Sequence, residues 1–98
     1  MEKEEFDRLF EKWMRDTGVY STINHIMEHE NVPVLVAAKE SILPFLMEKL
    51  EDRRCMGIFE MLKLITGCNI VPKHHSSRSN LMAADWQHWY KEIYERSN

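Results

Sequence analysis

His25-Ile-Met-Glu28-His29 reads H-x-x-E-H, the order of ligand, base and ligand found in inverted zinc peptidases. Histidines four apart on a helix share a face, so both imidazoles can reach one tetrahedral ion while the glutamate serves as general base. Five residues match easily by chance, however, and hydrolysis at zinc also needs a third protein ligand and a cleft. The carboxylates of the second half, Glu60, Asp85, Glu92 and Glu95, form no recognisable second motif. His25 and His29 are therefore only weak candidate metal ligands. The expectation is no catalytic site and no cofactor, with His29 capping or packing at a helix end.

Other constellations are poorer still. Ser76, Ser77 and Ser79 stand in a loop without the G-x-S-x-G elbow that strains and exposes a nucleophilic serine. Cys68 could pair with His74 or His75 as thiolate and imidazolium, yet a thiol beside a helix-ending glycine and apolar Ile70 and Val71 is usually inert. With three glycines in the chain and no G-x-x-x-x-G-K-[ST] or G-x-G-x-x-G, nothing cradles a nucleotide phosphate. The acidic start Met-Glu-Lys-Glu-Glu lacks the basic and apolar regions of a signal peptide, which makes a cytoplasmic protein the default. In a reducing compartment Cys55 and Cys68 stay thiols, expected as small buried apolar groups.

Surface chemistry is left to charge and aromatics. Residues 1–52 hold 6 Lys/Arg against 12 Asp/Glu, and residues 53–98 hold 7 against 4, so the net −3 divides into an acidic half and a mildly basic one. A nucleic-acid binder needs a strongly basic stripe, because phosphate neutralisation supplies much of its affinity. Here the basic stretch is short, Lys73 to Arg78 with His74 and His75 inside it. It is expected to be a solvated loop, and nucleic acid is the second choice of partner. Trp86 and Trp89 are expected in the core. Tyr90, Tyr94 and His88 suit a surface, where Lys91 and Arg96 beside the aromatics fit a base or a protein hot spot.

The elements that must carry these groups are helices. Phe6, Leu9, Phe10, Trp13 and Met14 recur on one helical stripe, with Gly18 as a stop. Ile23, Ile26 and Met27 mark a short second helix ending before Pro33, where a new start is expected over Val34–Ala38. Ser41 is placed to cap a helix bearing Ile42, Phe45, Leu46 and Leu50, with Pro44 in its first turn. Asp52 can cap a helix from about Arg53 to Thr66, apolar nearly all round and hence central, ended by Gly67. Cys68 to Asn80 reads as a loop, and Met82, Trp86, Trp89, Tyr90 and Ile93 mark a closing helix over about 78–96. No stretch alternates with period two, and no apolar run approaches the roughly 20 residues of a bilayer span. The 98 residues, 44% hydrophobic and 30% charged, predict an all-α, single-domain bundle of five or six helices with no membrane association.

Ile42-Leu-Pro44-Phe-Leu-Met-Glu-Lys-Leu50, a charged turn, and Leu62-Lys-Leu-Ile65-Thr66-Gly67 together resemble one HEAT-type helix pair over about 41–67. Trp13, Thr17, Ser21 and His29, the block Ile65-Thr66-Gly67-Cys68-Asn69-Ile70-Val71-Pro72, and Met82, Trp86 and Trp89 resemble a family of small, uncharacterised bacterial proteins. Its members carry an "ITGxxPVP" turn and a closing Met-x3-Trp-x2-Trp helix. This chain has His29-Glu30-Asn31-Val32 where the family usually reads HPAY. The resemblance implies a helical fold, a bacterial or phage origin and no known catalytic residues. The expected function is a non-enzymatic protein–protein interaction module that binds another protein through a helical face. One concrete form is an inhibitor or accessory factor of a bacterial defence system. Candidate partner-binding residues are Glu28, Glu30, Glu48 and Glu51 on the acidic side and Lys73, His74, His75, Arg78, His88, Tyr90 and Tyr94 on the other. The alternatives are a nucleic-acid contact through the 73–78 loop and metal-dependent hydrolysis at His25, Glu28 and His29.

Overall fold

An apolar stripe at helical spacing has to find a partner surface, and in the computed structural model Phe6, Leu9, Phe10, Trp13 and Met14 are the buried face of α1 (Lys3–Thr17). The structure describes residues 1–17, 22–50, 57–76 and 78–95. These form six α-helices, two short 3-10 turns and a π turn, with no strand among the described residues, so the fold is all-α. The chain divides into two compact units, Met1–Cys68 and Asn69–Asn98. No helix of the described residues is long and apolar enough to cross a membrane.

In the first unit, α1 carries Glu4 and Glu5 in its first turn and Arg15 in its last, each matched to the helix dipole. Gly18 and Ser21 lie outside the described residues. Thr22 caps α2 (Ile23–Met27) by accepting the His25 N–H at 3.2 Å. The next helix, α3, runs Asn31–Ala37. It starts two residues before the expected Pro33, because a first-turn N–H has no intrahelical acceptor and its loss there costs little. Lys39 then takes a left-handed φ of 52° and opens a 3-10 turn, Lys39–Ile42, that leads into α4 (Leu43–Glu48). Ser41 is not the cap expected of it. It sits inside the 3-10 turn and donates its hydroxyl back to the Ala38 carbonyl at 2.7 Å, and α4 starts from Ile42 without a side-chain cap.

α5 (Gly57–Thr66) packs against α2, α3, α4 and the 3-10 turn, which gives it the central place its composition predicts. Ile58, Phe59, Met61 and Leu62 are buried. Leu64 corrects the expectation of burial all round: at 58% exposure it faces out, since two residues past Leu62 the helix has turned by roughly 200°. Gly67 ends the helix at φ 71°, its N–H donating to the Lys63 carbonyl at 2.8 Å. At the other end Gly57 has no room for a side chain, as an added Cβ would lie 2.5 Å from Ile26 Cγ2 and 2.9 Å from Trp13 Cζ2. The Asp52 cap, the start at Arg53 and Cys55 lie outside the described residues. Cys68 does not behave as a buried apolar group; it is an exposed thiol beyond the end of α5.

The second unit has a 3-10 turn, Lys73–His75, followed by α6 (Ser79–Trp89) and a π turn, Tyr90–Tyr94. Met82, Ala83 and Trp86 are buried. The aromatic stripe departs from regular helical spacing at its end. The wider π turn sets Tyr94 5.8 Å from Trp89 and stacks it 5.2 Å from Tyr90, while Ile93 is exposed.

Candidate functional site

The H-x-x-E-H motif does not occupy one helix face. α2 stops at Met27, Glu28 is its C-cap, and His29 stands in the turn beyond it. His25 and Glu28 are exposed, whereas the His29 side chain is only 9% exposed and fully engaged. The Asn31 N–H donates to His29 Nδ1 at 3.0 Å, so the proton of the neutral ring sits on Nε2, which faces Asp16 Oδ2 at 2.8 Å. With both ring nitrogens taken, His29 has no lone pair to offer a metal. It holds the start of α3 to the end of α1, the capping role expected of it.

Two more buried hydrogen bonds fasten the same joint. The Trp13 indole N–H donates to the Ile26 carbonyl at 2.8 Å, and the Asn31 side-chain amide donates to the Leu9 carbonyl at 2.9 Å. Outside them Asp16 also receives Lys12 at 2.8 Å, and Lys12 reaches Glu30 at 3.3 Å. The hydrogen bonds from His29 and then Lys12 pull the Asp16 carboxyl down to about 2. Asp16 and Glu30 in turn hold the Lys12 ammonium above its ordinary value.

The other acidic candidates lie on the surface of this unit. Glu48 pairs with Lys3 at 3.0 Å. Glu28 is exposed with no ionic partner among the described residues, as is Glu40, and Glu51 lies outside them. Ile23 and Val34 are also exposed, at 42% and 45%. Among the described residues no three His, Cys, Asp or Glu side chains converge as a metal site.

In the second unit Lys73, His74 and Arg78 are exposed, as a solvated loop requires, but His75 is not merely solvated. Its Nδ1 lies 2.7 Å from Asp85 Oδ2 on α6, with the two side chains 24% and 22% exposed. His74 packs edge-on against His75 with ring centroids 4.3 Å apart. The sequence offers Asp85 only as one of four second-half carboxylates without a motif, because no spacing rule joins a loop histidine to a carboxylate inside the next helix. His88 is exposed. Tyr90 and Tyr94 are half-buried against each other, and burial, with the Glu95 charge second, pushes the Tyr90 phenol up. Trp86 is buried and Trp89 half-buried. The expectation that Tyr90 and Tyr94 stand as open surface aromatics is thus reduced to their outer edges. No protein-family model, curated protein or solved structure matches the chain.

Proposed function

We propose that the chain is a non-enzymatic interaction module whose first unit presents an acidic, partly apolar surface to a basic protein partner. One observation carries this reading. Within residues 22–40 His29 is spent on holding α1 to α3, while Ile23, Pro33 and Val34 and the carboxylates of Glu28 and Glu40, without an ionic partner among the described residues, are exposed. Exposed apolar side chains carried on the same segment as exposed carboxylates suit recognition of a basic protein surface, where apolar burial supplies affinity and charge sets the rate of encounter.

The test is capture of partners from a cell extract, followed by kinetics on the purified complex. Glu28→Lys with Glu40→Lys should slow association several-fold, more at low salt than at high, and Val34→Asp should speed dissociation. Helical content should stay unchanged throughout. The competing reading places nucleic acid on Lys73, His74, His75, Arg78, Lys91 and Arg96, the last of which lies outside the described residues. It predicts instead salt-sensitive micromolar binding to DNA or RNA that Lys73→Glu and Arg78→Glu abolish, and that outcome would displace the protein-partner reading.

A further inference from the structure

We propose that His75, oriented by Asp85 and assisted by His74, is a binding site for a nitrogen-seeking divalent ion of the late first transition row, copper(II) above all. The inference starts from a proton. An ionised carboxylate only accepts hydrogen bonds, so the 2.7 Å contact with Asp85 Oδ2 fixes the proton of the neutral ring on Nδ1 and leaves the lone pair on Nε2. Nε2 has no hydrogen-bond partner among the described residues, and the ring is accessible at 24%. An outer carboxylate that sets the tautomer and raises the basicity of the opposite nitrogen is how metal-binding imidazoles are prepared.

His74 supplies a second nitrogen. Two imidazoles on adjacent corners of one ion, with metal–nitrogen bonds of about 2.0 Å, hold their ring centres roughly 4.5 Å apart. Here the centroids are 4.3 Å apart with the ring planes at 66°, and His74 is exposed. That separation suits right-angled, tetragonal coordination, the preference of copper(II) and nickel(II), with water completing the set. Lys73 next in the chain disfavours hard cations held by charge alone, so the bond to nitrogen must provide the affinity. His29 is the counter-example within the molecule, since its two nitrogens are both occupied.

The experiment titrates copper(II) into the tag-free full chain, followed by calorimetry and electron paramagnetic resonance. One ion with nitrogen ligation is expected. His75→Ala should abolish that signal, His74→Ala should weaken it, and Asp85→Ala should weaken it about 10- to 100-fold, the usual effect of removing an outer carboxylate. His25→Ala and His88→Ala should leave it unchanged, with circular dichroism confirming that each variant keeps its helices. Binding that survives His75→Ala, binding spread over several weak sites, or indifference to Asp85→Ala overturns the assignment.

Discussion

The two units each contain a histidine in contact with an aspartate at nearly the same distance, 2.8 Å for His29 and Asp16 and 2.7 Å for His75 and Asp85. The pairs are chemically alike and functionally opposite. His29 presents Nε2 to its carboxylate and uses Nδ1 to accept the first N–H of α3, so the ring is a structural joint. His75 presents Nδ1 and keeps Nε2. The side chain's place in the fold, not the residue type or its partner, decides which nitrogen is left for outside chemistry.

The comparison breaks first if the frame around His29 is not what holds it. Leu62→Ala hollows out α5, the helix on which α2 and α3 pack, and should cost about 2–5 kcal/mol in chemical denaturation. Gly57→Val, which forces a side chain into Trp13 and Ile26, should cost about 1–3 kcal/mol. Unchanged midpoints in both would mean that the α1–α2–α5 packing is wrong.

The next effect separates the two histidines directly. His29→Ala removes two hydrogen bonds and leaves the Asn31 N–H without an acceptor, at about 1–3 kcal/mol. His75→Ala removes one partly exposed pair and should cost under about 1 kcal/mol. Equal losses would erase the distinction drawn between them.

The smallest effect sharpens it by pH. Asp16 has its folded-state carboxyl pulled down to about 2, below its ordinary value of 3.8. Its contribution is therefore present above about pH 4 and is lost as pH falls from there towards 2. Urea midpoints measured across that window should fall less in Asp16→Asn than in the unaltered chain. Parallel curves would sever Asp16 from the joint.

Much of the fold is legible in periodicity. The stripe of α1, the central α5 and its stop at Gly67 all follow from where apolar residues and one glycine fall, because a helix face must be buried and a left-handed residue is easiest without Cβ. Local capping is less legible. Ser41 carries the right side chain for a cap, yet the chain enters α4 from a 3-10 turn opened by Lys39 at positive φ, a conformation that nothing in the residue type announces. The motif at His25, Glu28 and His29 does not form one helix face for a related reason: its spacing assumes a continuous helix, and α2 ends inside it.

The sequence by itself determined that the chain is helical, which faces are apolar and that its two halves carry opposite charge, since these depend on residues close together along the chain. Tertiary structure alone decided which histidine nitrogens are used, that Asp85 meets His75, that Cys68 and Leu64 face outward, and that α6 widens at Tyr90. Those outcomes hinge on distances between residues far apart in sequence or on which competing local hydrogen bond wins once neighbouring helices have packed.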